Sequence, residues 1–247
     1  MGKTYEALEW AEKEFQANRL QAVPKALPPV QAKLPMQVRT HPTRERYHDL
    51  RANLLTRYPD GSVKTILFAG TARGEGTSTT AVNFATTLAV DDKLQVLLID
   101  VNLRTPSLHG VFKVDSLHGL SDLVIGGLGA PTPIKVGPGN LYLVPCGRPH
   151  SEPVRLLESD GFSEFLQKMR DTYDYVILDC PPVHGFSEHR VLSARVDGVV
   201  LVIEAGKTHR QVALTAKKQL EEAGGKILGV VINKRKYYIP EFIYRRL

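Results

Sequence analysis

The amino-acid sequence predicts an α/β fold with a doubly wound, mostly parallel sheet. From residue 64 onward, nearly continuous apolar runs of strand length alternate with helical segments. Parallel strands covered by helices on both faces have this uninterrupted apolar character. Glycine-rich or acidic residues follow several of these runs, and ligands bind beyond the carboxyl ends of the strands in such sheets. The predicted strands are 65–69, 95–100, 140–144, 175–179, 198–204 and 226–233, with a helix through 82–89.

Two segments precede the predicted sheet. Near the N-terminus, apolar residues such as Leu8 and Phe15 share one side of a helical pattern, which predicts an amphipathic helix. The next stretch contains several prolines and little periodicity, as is typical of an extended linker. A second helical pattern, roughly 43–58, leads into the sheet. The predicted organisation is an amphipathic helix at 1–20, a proline-rich linker at 21–43, an α/β domain at 44–236 and a basic, tyrosine-containing tail at 237–247.

Composition and charge narrow the functional classes. The chain has 247 residues, 43% of them apolar, which is enough for a sizeable core and excludes general disorder. No apolar run approaches the roughly 18 residues of a membrane-spanning helix, so we expect a cytoplasmic protein. The net charge of +6 favours an anionic membrane surface, nucleic acid or an acidic partner without choosing among them. Cys146 and Cys180 are too few for a disulfide framework, and we expect buried thiols.

The glycine-rich turn after the first predicted strand is the main candidate ligand site. Its glycines let backbone N–H groups close around an anion, and the helix that follows adds the partial positive charge of its N-terminus. A phosphate-binding P-loop carries a lysine before its Ser/Thr, whereas this chain has Thr77 there and Thr71 in place of the leading glycine. A weakened phosphate cradle and a plain strand-to-helix turn both remain open. The candidate cofactor-binding residues are Gly74, Glu75, Gly76, Thr77, Ser78 and Thr79.

Acidic residues end two other predicted strands. Asp100 and Asp179 each follow an apolar run, and the carboxyl ends of parallel strands lie at one edge of the sheet. Two carboxylates there could hold Mg²⁺, directly or through water, beside bound phosphates. Ser78 would supply a hydroxyl to the same ion. An aspartate after a strand also commonly caps the next helix, so a purely structural role stays open for each. The candidate metal ligands are Ser78, Asp100 and Asp179.

These motifs resemble those of a known family. Residues 74–79 with 83–85 resemble the phosphate loop of bacterial tyrosine kinases that serve exopolysaccharide synthesis, within the MinD/ParA-like P-loop ATPases. Residues 97–109 resemble the second acidic motif of that family, and residues 175–182 resemble its Walker B strand. The likeness covers roughly residues 45–234. Further blocks that resemble the family are 119–123, 205–208 and 230–234.

The resemblance implies an ATP-dependent autokinase that uses Mg²⁺ and phosphorylates tyrosines in its own C-terminal tail. It implies a membrane-embedded polysaccharide chain-length regulator or export protein as partner, with this chain peripheral at the inner face of the membrane. It also implies a homo-oligomer formed through a helical motif that residues 45–51 resemble, although His48 replaces an arginine there. The residue roles carried over are catalytic for Asp100, Arg104 and Asp179, nucleotide-binding for Asn233, and phosphoacceptor for Tyr237, Tyr238 and Tyr244.

Two polar positions depart from the family pattern. Thr77 replaces the loop lysine, and Asn102 replaces the second carboxylate of an Asp-x-Asp pair. A lysine ammonium about 4 Å from a phosphate charge is worth on the order of 4 kcal/mol at an effective dielectric near 20. Losing that stabilisation from the transition state alone would slow transfer by roughly three powers of ten. Arg73, Arg104 and Lys207 are the cations that could substitute for the lysine.

Three functions remain open on the sequence. The first is a regulator of exopolysaccharide synthesis or export that binds nucleotide weakly and transfers phosphate poorly. The second is a working protein-tyrosine autokinase, and the third is a MinD/ParA-like positioning ATPase. The third is the least favoured, because Ala72 stands where that group has a signature lysine. No base-reading motif is present, so we expect no nucleic-acid partner.

Overall fold

The described part of the chain begins at the second predicted helix. The computed structural model describes residues 41–90, 93–123, 131–148 and 150–235, with backbone alone for the first four. The predicted N-terminal helix and proline-rich linker, up to residue 40, lie outside this part. The tail that carries Tyr237, Tyr238 and Tyr244 lies outside it as well.

A seven-stranded sheet forms the centre of the structure. Its strands are β1 (Thr65–Gly70), β2 (Val96–Asp100), β3 (Ile134–Lys135), β4 (Leu141–Val144), β5 (Tyr175–Asp179), β6 (Gly198–Glu204) and β7 (Ile227–Asn233). Their order in space is β3-β4-β2-β5-β1-β6-β7. Every neighbouring pair is parallel except β3 with β4. The predicted α/β class with a mostly parallel sheet is confirmed.

Helices cover both faces of the sheet. They are α1 (His41–Arg57), α2 (Thr77–Val90), α3 (Leu108–Phe112), α4 (Pro153–Glu158), α5 (Asp160–Thr172), α6 (Glu188–Ser193) and α7 (Arg210–Glu222). The first three pack on one face around Phe84 and Phe112, whereas α4 to α7 pack on the other around Phe162 and Leu192. The sheet is therefore doubly wound, as predicted. No helix in the described ranges is both long and apolar enough to cross a membrane.

The predicted strands agree with the observed ones to within one residue, except that β3 was not predicted. This strand has two residues and neither is fully buried, so it leaves no apolar run in the sequence. Helix α2 begins at Thr77 rather than near residue 82, directly after the glycine-rich turn. Both cysteines are buried free thiols as expected, and burial raises the pKa of Cys146 to about 12.

One aspartate joins the amino ends of β1 and β6, at the edge of the sheet opposite to the glycine-rich turn. Asp197 Oδ2 accepts hydrogen bonds from the Lys64 amide at 2.9 Å, the Thr65 amide at 2.8 Å and the Thr65 hydroxyl at 2.9 Å. Its second oxygen accepts from Arg170. Burial opposes ionisation of Asp197, but these donors outweigh it and hold its pKa below the usual value. This junction fixes the strands whose other ends carry the candidate site.

Helix α1 is attached to the α/β body through two aromatic side chains. The Asn83 amide of α2 donates a hydrogen bond to the Tyr47 hydroxyl at 3.2 Å. The Lys226 ammonium lies 3.9 Å from the centroid of the Tyr58 ring, a cation–π contact. Residues 45–51, for which oligomer contacts are predicted, occupy the middle of this helix.

Candidate phosphate-binding site

The loop between β1 and α2 has the backbone of an anion cradle. Gly74 and Gly76 have φ angles of 86° and 88°, in the left-handed region that side chains disfavour. Among the described residues, the amide N–H groups from Gly74 to Ser78 have no protein acceptor. Because α2 starts at Thr77, the last of these amides also belong to its N-terminal turn. The loop therefore presents unused donors and a helix N-terminus at one place, which is what a phosphate requires.

Glu75 turns its carboxylate into the loop. Oε2 accepts from the Thr71 amide at 2.6 Å and the Ala72 amide at 3.0 Å, and Oε1 accepts from the Thr71 hydroxyl at 2.6 Å. The Thr208 hydroxyl, from the turn after β6, donates to Oε1 at 2.5 Å. Only 3% of the residue is exposed. The side chain thus stabilises the loop. The nucleotide contact predicted for Glu75 would therefore have to come from its backbone amide.

Asp100, at the end of β2, is fully engaged with the segment that follows it. Oδ2 accepts from the amides of Ser107 and Leu108 at 3.0 Å each, and Oδ1 accepts from the Asn102 amide at 3.1 Å. The residue is fully buried, and burial raises its pKa although the three amides oppose the shift. Asp100 therefore caps the start of α3. This is the structural role that the sequence left open for an aspartate after a strand. Its proposed contact with Mg²⁺ stays a prediction.

Asp179, at the end of β5, is buried without hydrogen bonds. The residue is 1% exposed, and neither carboxylate oxygen has a hydrogen-bond partner of acceptable geometry within the described residues. Burial and the nearby Asp100 charge raise its pKa to about 8, while the Ser78 hydroxyl lies near enough to lower it somewhat. A buried carboxylate that lacks donors is costly unless a cation or an ordered ligand compensates it.

The residues around Asp179 suit Mg²⁺, which shares its ligands with water and phosphate, better than a metal ion that is held by protein side chains alone. No three His, Cys, Asp or Glu side chains converge on one point in the described ranges. Mg²⁺ commonly takes one or two carboxylates and fills its other positions with water and substrate phosphates. Asp179 and Ser78 lie beside the loop whose amides have no protein acceptor among the described residues, so they could hold the ion against a bound phosphate.

The three cations that could substitute for the loop lysine have other partners. The guanidinium carbon of Arg73 lies 5.4 Å from the ring centroid of Phe186. Arg104 donates from Nε to Glu188 at 2.9 Å, and Lys207 lies 3.4 Å from Glu204. Asn102, the other residue that departs from the family pattern, also has a local partner. Its side-chain oxygen accepts hydrogen bonds from the amide and the hydroxyl of Thr105.

Two residues at the end of β7 reach the loop. Asn233, predicted to bind nucleotide, donates from Nδ2 to the Glu75 carbonyl at 2.9 Å. Lys234 donates from Nζ to the Gly74 carbonyl. The contact of Asn233 explains one loop glycine, since a Cβ at Gly76 would clash with the Asn233 amide.

Sequence reasoning missed two charged residues of this region. Glu188 is fully buried and forms an ion pair with Arg104, yet in the sequence it resembles an ordinary acidic residue in the first turn of a helix. Lys234 ends the 230–234 block that resembles the family, but no role was predicted for it. Its single sequence signal is that it directly follows Asn233 at a strand end.

The strand order and the loop between β1 and α2 place this chain among the P-loop NTPase-type domains. A solved structure of the septum site-determining protein MinD from Pyrococcus horikoshii, complexed with Mg-ADP, superposes with a TM-score of 0.58. It covers 74% of this chain and 76% of that one at 23% identity, which supports the fold alone. No protein-family model matches the sequence.

Kinases with higher sequence identity define the family. Tyrosine-protein kinase YwqD of Bacillus subtilis is 32% identical over 193 residues, covering 78% of this chain and 81% of the relative. Tyrosine-protein kinase CpsD of Streptococcus agalactiae is 30% identical, covering 78% and 83%. The crystal structure of the chimerical protein CapA2B2 superposes with a TM-score of 0.75 at 26% identity, covering 85% and 96%. The chain belongs to the family of bacterial tyrosine-protein kinases.

Proposed function

We propose that this chain binds ATP or ADP with Mg²⁺ at the loop between β1 and α2, and that it regulates exopolysaccharide synthesis or export with little phosphoryl transfer of its own. In this proposal the backbone amides of residues 74–79 hold the phosphates. Asp179 and Ser78 hold Mg²⁺, directly or through water. Asp100 fixes the neighbouring segment and lies close enough to influence the charge of Asp179.

The observation that carries the proposal is the unpartnered carboxylate of Asp179. A structural aspartate at this depth would be expected to have backbone donors, as Asp100 has. A carboxylate left without donors beside a set of free amides is instead suited to a ligand that brings both phosphate and metal. Mg²⁺ bound there would neutralise charge on the phosphates.

Weak transfer is proposed because the loop has no ammonium at position 77. A Cβ added at Gly70 would clash with the Thr77 hydroxyl, so this side chain lies against the end of β1. A threonine hydroxyl brings no positive charge to a transferring phosphoryl group. Transfer depends mainly on such charge and on positioning, so binding is expected to survive better than catalysis.

Isothermal titration calorimetry with ATP and ADP, with and without Mg²⁺, tests nucleotide binding. We expect measurable binding to the full chain that Mg²⁺ strengthens, and loss of the Mg²⁺ effect in Asp179→Asn. Asp171→Asn is the control, because this carboxylate is exposed on α5 and accepts a hydrogen bond from Gln167 of the same helix. If the wild-type chain takes up neither nucleotide, or if Asp179→Asn keeps the full Mg²⁺ effect, the proposed site is wrong.

A working autokinase is the second candidate, because the relatives are named tyrosine-protein kinases. Incubation of the full chain with Mg·ATP and detection of phosphotyrosine separates the two functions. Little labelling favours the regulator. Strong labelling that disappears in Asp179→Asn and in a Tyr237→Phe, Tyr238→Phe, Tyr244→Phe variant would establish the kinase instead.

The proposed place of action is the inner face of the cell membrane, beside a membrane-embedded chain-length regulator or export protein. The membership in the kinase family supports this partner class, and the net charge of +6 favours an anionic lipid surface. Flotation with anionic and neutral vesicles measures the lipid contribution. Equal recovery from both kinds of vesicle would remove charge as a cause of membrane association.

A further inference from the structure

The end of β7 holds two successive carbonyl groups of the phosphate loop. Lys234 Nζ donates to the carbonyl of Gly74, and Asn233 Nδ2 donates to the carbonyl of Glu75. The two peptide groups concerned are adjacent, so their orientations are set by adjacent residues of a single strand end. Sequence separation conceals this arrangement, since the loop and the strand end are about 160 positions apart.

The orientation of a carbonyl also sets the orientation of an amide. In a trans peptide group the C=O and the following N–H point in opposite directions. Holding the Gly74 carbonyl toward Lys234 therefore directs the Glu75 N–H to the opposite side, and Asn233 does the same for the Gly76 N–H. These two N–H groups have no protein acceptor in the described part of the chain, so they remain open to an anion.

Lys234 brings a positive charge to the same place. Its ammonium lies 3.2 Å from Glu204 Oε2, and the Lys207 ammonium lies 3.4 Å from the same oxygen. Two lysines share one carboxylate, so these three residues together carry one excess positive charge, which faces a loop that contains the Glu75 carboxylate. The backbone of Lys234 is held in place as well, with φ of 55° and an amide that donates to Asn233 Oδ1 at 2.8 Å.

We propose that Lys234 positions the nucleotide phosphates in this chain: it holds the Gly74 carbonyl outward, directs the Glu75 N–H toward a phosphate oxygen and supplies positive charge to a loop that has Thr77 in place of lysine. This inference rests on the proposed nucleotide site. It assigns this task to the end of β7 because Lys234, unlike Arg104 and Lys207, donates to a carbonyl of the loop in the described part of the chain.

The chain offers a matched control for the test. Lys207→Met removes the same charge from beside the same Glu204 carboxylate, but within the described ranges the Lys207 ammonium donates to Glu204 and not to the loop. Titration calorimetry with Mg·ATP and Mg·ADP is performed on the full chain, wild type and with Lys234→Met, Lys234→Arg or Lys207→Met. Thermal unfolding without nucleotide is recorded in parallel. Little change in stability is expected, because the side chains of Lys234 and Lys207 are 47% and 68% exposed.

We expect Lys234→Met to weaken Mg·ATP binding about tenfold, the usual size for loss of a charge-assisted hydrogen bond. Lys234→Arg should retain most of the affinity, and Lys207→Met should change it less than about twofold. The inference is overturned if wild type binds and Lys234→Met binds equally well, or if Lys207→Met loses as much. Absence of binding in wild type would instead reject the proposed site, and this inference with it.

Discussion

Asp100 and Asp179 are register partners on the neighbouring parallel strands β2 and β5, and only Asp100 has hydrogen-bond donors. Both side chains are buried at the same edge of the sheet. The difference arises because the chain after β2 turns back over Asp100, whereas no backbone amide in the described residues faces Asp179. The same substitution, aspartate to asparagine, should therefore have opposite effects at the two positions.

Asp179→Asn should stabilise the nucleotide-free protein. Above about pH 8, where Asp179 is ionised, the substitution removes a buried carboxylate without donors and its repulsion with Asp100, so we expect the free energy of unfolding to rise there by about 1–2 kcal/mol. Urea unfolding followed by circular dichroism measures this. A loss of stability would show that Asp179 has a structural partner, and the argument for a metal ligand there would fail.

Asp100→Asn should destabilise the protein by about 2 kcal/mol, because an asparagine amide would face backbone N–H groups that now donate to a carboxylate. The same urea experiment measures this loss of stability, and the Asp179→Asn variant serves as the comparison. If Asp100→Asn unfolds at the wild-type urea concentration, the capping bonds contribute little, and Asp100 is then free to serve chiefly as a metal ligand.

Thr77→Lys should strengthen ATP binding roughly tenfold or more, because an ammonium beside the phosphates restores a favourable charge interaction. Thr77→Met is the control, since methionine provides comparable length without charge. Calorimetry with Mg·ATP compares the three proteins. Equal affinities in the lysine and methionine variants would mean that position 77 does not face the phosphates.

Asp197→Asn should lower stability at neutral pH by about 2 kcal/mol through loss of charge-assisted acceptors at the base of β1 and β6. The folded-state pKa of Asp197 is lower than its ordinary value. Its contribution is therefore complete above the unfolded pKa, near 4, and is lost as the pH falls through the folded value. Urea midpoints of wild type and variant should converge as the pH is lowered below about 4. A constant difference down to pH 2 would contradict the assignment.

The strands, the glycine-rich loop and the two strand-end aspartates could be predicted because each is encoded locally. A buried parallel strand needs a continuous apolar run, and a loop with left-handed residues needs glycine at particular positions, as at Gly74 and Gly76. Strand β3 could not be predicted, since two partly exposed residues carry no periodic signal.

The contacts that shape the loop could not be predicted from spacing. Thr208 reaches Glu75 across 133 positions and Lys234 reaches Gly74 across 160. Only the strand order, in which β6 lies beside β1 and β7 lies beside β6, brings these residues together. The sequence shows how many cations the chain has, but their partners depend on that order, which is why Arg73, Arg104 and Lys207 were considered as substitutes for the loop lysine and Lys234 was not.

The contact of Lys234 with the loop also fixes the point from which the C-terminal segment starts. Tyr237 follows Lys234 by three residues and Tyr244 follows it by ten. Fully extended chain covers at most about 3.5 Å per residue, so the Cα of Tyr237 stays within about 10 Å of Lys234, while Tyr244 can travel about 35 Å. Chain length alone therefore gives the farther tyrosine a reach that the nearer one does not have. If the autokinase candidate is the correct function, phosphorylation confined to Tyr237 would favour transfer within one chain.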